Sequence, residues 1–94
     1  MKKERPIVPG SVVRSKAGRD EGRYFIVLSI EDGEFARVAD GDLRKAEKPK
    51  RKRIKHLYVT EELASSLQEK LTAGERVENH ELRACLATFK PKEG

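Results

Sequence analysis

The sequence contains no tryptophan, one cysteine and one methionine, and aromatic residues make up only 5% of it. Each scarcity excludes something. A lone Cys85 cannot close an internal disulfide, which fits a reducing compartment and makes the cytoplasm the expected location. No stretch reaches the roughly 18–20 apolar residues that cross a bilayer, and Met1-Lys2-Lys3-Glu4-Arg5 leads into no apolar signal core, so no membrane association is expected. The two histidines, His56 and His80, fall on different expected elements, with no Cys or carboxylates at metal-ligand spacing. "GRDEG" at 18–22 lacks the Gly-Lys-Ser/Thr ending of a phosphate-cradling loop. Cys85 lies on an apolar stripe, where a buried structural thiol is expected. No catalytic residue, metal or cofactor is therefore expected, and the chain reads as a non-enzyme.

Charge, by contrast, is abundant. Charged residues form 39% of the 94-residue chain, and the net charge is +5. The excess is unevenly placed: residues 1–57 hold 16 Lys/Arg against 9 Asp/Glu, whereas residues 58–94 hold 5 against 7. Most of it sits in "RKAEKPKRKRIK" at 44–55, with eight basic residues and one acid. Such a run attracts a polyanion and gains from release of its condensed counterions. Pro49 stiffens the middle of the run, which reads as a projecting loop. Replacing Lys50, Arg51, Lys52 and Arg53 together by Ala is accordingly expected to weaken binding of the polyanion and leave thermal stability almost unchanged.

A chain of this length makes one domain and buries about 60–65% of its unfolded surface. "SVVRSK" (11–16) and "RYFIVLSI" (23–30) read as strands separated by a loop that Gly18 and Gly22 shape. Asp32-Gly33 signals a hairpin into a third strand at 34–39. Asp40-Gly41 then turns the chain into "DLRKA" (42–46) as a short fourth strand, and "IKHLYV" (54–59) supplies a fifth. The reading is mostly β: a small SH3-like barrel over residues 7–59, with a basic loop at 44–55. A helical appendage over 60–90 follows, packed on the barrel. Thr60 is its expected N-cap, and Leu63, Leu67 and Leu71 form a stripe that Gly74 ends. Asn79 is the expected cap of a second helix carrying Leu82, Cys85, Leu86 and Phe89, with Pro91 as its stop.

"GSVVRSKAGRDEGRYFIVLSI" resembles the KOW motif, a glycine-centred strand–loop–strand segment of ribosomal proteins and NusG-type transcription factors. Gly22 matches its central glycine, and Gly18 precedes it at the usual distance. Continued through "ADGDLRKAEKPKRKRIKHLYVT", the chain looks like the small bacterial KOW-containing RNA-binding proteins akin to the fourteenth large-subunit protein of archaeal and eukaryotic ribosomes. The resemblance covers roughly residues 10–60. It implies an SH3-like barrel, a ribosome-associated role, and binding to structured ribosomal RNA; separately, the free chain is expected to be a monomer. Glu21 and Asp20 stand at the loop tip, where many KOW segments carry lysine before the glycine. The expected contacts from that loop therefore come from Arg14, Lys16, Arg19 and Arg23. The remainder come from Arg44, Lys45, Lys48, Lys50, Arg51, Lys52, Arg53, Lys55 and His56. Tyr24 and Phe25 are expected mainly in the core. The competing expectation is a protein-interaction adaptor in the transcription or translation machinery, using the leucine stripe as an exposed patch.

Overall fold

Val12-Val13 and Tyr24–Leu28 are continuous rather than alternating apolar runs because both faces of their strands are covered. The computed structural model describes residues 6–89. Its strands are β1 (Ser11–Ser15), β2 (Tyr24–Glu31), β3 (Phe35–Ala39), β4 (Lys50–Arg53) and β5 (Leu57–Leu63), all antiparallel in the order β4-β3-β2-β1-β5. One turn of 3-10 helix, Ile54–His56, links the two edge strands, β4 and β5. Five flat strands would hold their edges about 19 Å apart, but three 3-10 residues rise only about 6 Å. The sheet is therefore rolled up on itself, as the expected barrel requires.

The inside of the roll is lined by Val13, Phe25, Val27, Ala36, Val38 and Leu57. The outside carries Val12, Ile26 and Ala39, which two helices cover: α1 (Ser65–Thr72) and α2 (Asn79–Thr88) bring Leu67 and Leu82 onto them, joined by Ala64 and Val77. Neither short helix is stable in isolation; their apolar faces are held by the sheet. Leu71, Cys85, Leu86 and Phe89 pack at the margin of this second core. The glycine loop and the Asp32-Gly33 hairpin form where expected, with both hairpin residues at positive φ.

Several expected boundaries are corrected. Residues 42–46 form no strand, because the Asp40 carboxylate accepts the N–H groups of Asp42 and Arg44 at 2.9 Å each. The Arg44 carbonyl in turn accepts those of Asp40 (3.0 Å) and Gly41 (2.9 Å). These backbone groups are satisfied within a closed loop and need no partner strand. The fourth strand lies instead within the basic run, at Lys50–Arg53, and β5 starts at Leu57. Leu63 belongs to β5 and is 40% exposed, so it is no part of the helical stripe.

Thr60 is a strand residue rather than a helix cap. The β1–β5 register shifts between Ser11 and Val13, and the Thr60 hydroxyl donates to the Val12 carbonyl there at 2.7 Å. The same oxygen accepts the Glu62 N–H at 3.1 Å. Thr60→Val is thus expected to lower the unfolding free energy by about 1–2 kcal/mol, because it removes a buried hydrogen bond to the Val12 carbonyl; urea denaturation measures it. α1 starts at Ser65, and α2 is capped by Glu78 in a reciprocal capping box with Glu81. Pro91 and residue 90, the expected end of the helical part, lie outside the described residues.

Candidate nucleic-acid interface

The glycine loop is a closed hairpin. Gly18 and Gly22 sit at φ +89° and +90°, a region that disfavours residues with a Cβ. Ser15 N–H donates to the Arg23 carbonyl at 2.9 Å, and Gly22 N–H donates to the Ser15 carbonyl at 2.8 Å. The turn folds Asp20 inward, where its Oδ1 accepts from the Ser15 hydroxyl (2.8 Å) and from Lys52 Nζ (2.9 Å). Lys52 Nζ also donates to Ser15 Oγ at 2.8 Å and to the Ala17 carbonyl at 3.1 Å. Burial by itself would raise the Asp20 pKa, but the hydrogen bonds from Lys52 and Ser15 and the Lys52 charge hold it below the ordinary aspartate value. Asp20 is therefore neutralised, and Glu21 is the exposed acid left at the tip.

Three links draw other segments to this loop. Lys52 ties it to β4, Arg23 pairs with Asp40 at 3.3 Å after β3, and Lys16 N–H donates to the His56 carbonyl at 2.8 Å. His56 is half-buried and opens onto β5, while Lys55 beside it is exposed. Lys50 lies near enough to Asp20 for its charge to lower that pKa further.

The thirteen residues expected to contact RNA divide by their partners. Lys52 is buried, its side chain 7% exposed, and faces Asp20 rather than solvent. Arg51 and Arg53 point outward from β4. Arg51 donates to Glu31 at 2.8 Å and lies 3.7 Å from the Phe35 ring centre; Arg53 stands 4.0 Å from Glu34 and 5.0 Å from the same ring. Arg37 also donates to Glu31, whose carboxyl is held below the ordinary range by hydrogen bonds from Arg37 and Arg51. Arg14, Lys16, Arg19, Arg44, Lys45, Lys48 and Lys55 are exposed and Lys50 half-buried, and none forms an ion pair among the described residues.

The basic run is thus no projecting arm. Its second half is a strand with register Ala36↔Lys52, and its first half is bound to α2. Ala46 N–H donates to Asn79 Oδ1 at 2.7 Å, and Asn79 Nδ2 donates to both Glu47 oxygens at 3.0 and 3.2 Å. Asn79, expected as a helix cap, is instead the brace that fixes Arg44, Lys45 and Lys48 against the helical layer. Replacing Lys50, Arg51, Lys52 and Arg53 together by Ala therefore does not spare stability, because the buried Lys52 is among them.

Sequence reading missed the aromatic partners of these cations. Arg14 is the cross-strand partner of both Tyr24 and Tyr58, and its guanidinium lies 5.6 Å from the Tyr58 ring centre. Phe35 is the corresponding centre for Arg51 and Arg53. The only signal available was alternation along β1, which puts Arg14 on the outer face, but the pairing needs the register. Phe25 is core, at 1% exposure, as expected; Tyr24 sits at the edge of the helix-covered core with its ring 5.0 Å from that of Phe89.

The remaining candidates carry less. Cys85 is half-buried on the helix–sheet boundary, and burial pushes its thiol pKa up, away from the reactive thiolate. Among the described residues no cluster of three or more His, Cys, Asp or Glu is placed to hold a metal ion, and no helix is long and apolar enough to cross a membrane. A shallow, mostly apolar cleft of about 210 Å³ lies between Leu28, Ala46, Leu71 and Val77. The fold and these cations describe a small β-rich module with a basic, rigidly braced loop end. No family model matches the chain, and no curated protein matches it.

Proposed function

We propose that the chain is a non-catalytic, cytoplasmic RNA-binding module of the KOW type, associated with the ribosome and directed at structured ribosomal RNA. The observation that carries this reading is the separation of its cations. Lys52, Arg51 and Arg53 of β4 are partnered by Asp20, Glu31 and Glu34, whereas Lys16, Arg19, Lys55 and the β4 residue Lys50, around the glycine loop, form no ion pair among the described residues. Cations without an ion pair, carried on a braced backbone, favour a polyanion of defined shape, since phosphate contacts position a partner without reading its bases. The adaptor reading is weakened by the leucine stripe: Leu63 is 40% exposed, but Leu67 is 4% exposed and Leu71 and Phe89 pack against the helix–sheet core, so the stripe as a whole forms no open patch.

The test compares two sets of substitutions by fluorescence anisotropy on a folded ribosomal RNA fragment. Lys16, Arg19, Lys50 and Lys55 replaced together by Ala should weaken binding at least tenfold at about 0.15 M salt. Arg51 and Arg53 replaced together should weaken it less than about threefold, because their charges are already answered by Glu31 and Glu34. In cells, crosslinked RNA should be enriched in ribosomal RNA; an even spread over messenger RNAs would remove the ribosomal part of the reading.

A further inference from the structure

Three outward-facing residues stand side by side across β2, β1 and β5. Register places Arg14 opposite Tyr24 on one side and opposite Tyr58 on the other. Directly opposed side chains share a face with Cβ atoms roughly 5 Å apart. Tyr24 is fixed from beyond by Phe89, so the row runs Phe89–Tyr24–Arg14–Tyr58 along the margin of the helix-covered surface. Tyr58, at its far end, is 44% exposed, a large exposure for one of five aromatic residues in a chain this poor in them. Lys16 and His56 follow two residues on from Arg14 and two before Tyr58, and the Lys16–His56 backbone hydrogen bond keeps them together.

The contrast with Phe35 decides what this row can do. That ring is already covered by Arg51 at 3.7 Å, and Glu31 holds Arg51 and Arg37 in place. It is closed on itself. At the Arg14 row the guanidinium stands further off, at 5.6 Å, and forms no ion pair among the described residues. An open ring beside unneutralised cations suits a group that combines a flat π-face with an anion, and an unpaired nucleotide is that group.

We infer that Tyr58, flanked by Arg14 and Lys16, is a stacking site for an unpaired base of the bound RNA. The base lies on the Tyr58 ring, and Arg14 and Lys16 meet its flanking phosphates. This rests on the RNA-binding reading and adds to it a preference for a looped or bulged RNA over a fully paired duplex.

The test uses the full chain, a hairpin RNA with 2-aminopurine in its loop, and a duplex of equal length without unpaired bases. Wild type should bind the hairpin about tenfold more tightly than the duplex, and 2-aminopurine emission should be quenched on saturation. Tyr58→Ala should lose roughly tenfold on the hairpin and little on the duplex, since it removes the ring on which the unpaired base stacks. Tyr58→Phe should bind within twofold of wild type, because the ring rather than the hydroxyl carries the contact. Unchanged emission at saturation, or equal hairpin affinities for wild type and a folded Tyr58→Ala, would overturn the stacking site and leave RNA binding standing. Failure of wild type to bind either RNA would overturn both.

Discussion

Replacing Lys52 by Ala is expected to lower the unfolding free energy by about 3 kcal/mol, although the residue lies in the middle of a run of four basic side chains. Removal of one partner from a buried ion pair leaves the other charge uncompensated, and such losses are typically about 3–5 kcal/mol. The lower end applies because the Asp20 side chain keeps 14% exposure and can regain some water. Lys52 also donates to Ser15 Oγ and the Ala17 carbonyl, so the glycine loop loses its anchor to β4 at the same time. Arg51→Ala, one residue away on the opposite face, should cost under about 1 kcal/mol, since its pair with Glu31 is half-exposed. In thermal denaturation the first variant should melt more than about 10 °C below wild type and the second within about 5 °C.

The same pair sets an acid sensitivity. Asp20 has a folded-state pKa below its ordinary 3.8, so its ionisation contributes stability that is present above that value. This contribution is lost as pH falls through the lower folded-state pKa. Wild type should lose stability on acidification through this window, and Asp20→Asn, already lacking the charge, should show a shallower loss there.

Gly41→Ala is expected to be about as damaging, at about 3–4 kcal/mol. Gly41 has φ +79°, and a Cβ there would lie 2.4 Å from the Asn79 carbonyl oxygen at the start of α2. A left-handed backbone alone costs an L side chain about 1–2 kcal/mol. The rest comes from pushing α2 away from the loop, which would strain the 2.6 Å hydrogen bond from Arg83 to the Gly41 carbonyl and the Asn79–Ala46 brace. Gly33→Ala is the control. It shares a positive φ, +69°, but has open space around it, so it should cost only about 1 kcal/mol. If both alanine variants melt together, the close packing of α2 on the 40–44 loop is not what holds that end of the molecule.

β1, β2, β3 and the Asp32-Gly33 turn were legible because their signals are local: β-branched and aromatic runs broken by residues that tolerate positive φ. The fourth strand was not. Four consecutive Lys/Arg residues have little strand preference and read as solvated chain, and only the free edge of β3 recruits them. Lys52 faces inward because Asp20, 32 residues earlier, waits on the other side of the roll. No spacing rule reaches that far. Thr60 misled for a related reason: Thr-Glu-Glu before leucines is a fair helix start, but a register shift in β1 needed the hydroxyl more. For the candidate site, the cationic residue types were visible, but sorting partnered from unpartnered cations depended on acids distant in sequence. The pairing of Arg14 with two tyrosines depended on strand register.

In the proposed function, unpaired cations around the glycine loop, rather than the basic run as a whole, hold RNA phosphates. A salt titration of binding tests it most directly, using wild type and the variant with Lys16, Arg19, Lys50 and Lys55 replaced by Ala. Each phosphate contact contributes about 0.7–0.9 to the slope of log K against log salt. Wild type should show a slope of roughly −3.5 to −4.5, corresponding to about five contacts, and the variant's slope should be shallower by about 3. Parallel lines of equal affinity for the two proteins would show that these four cations do not hold the phosphates.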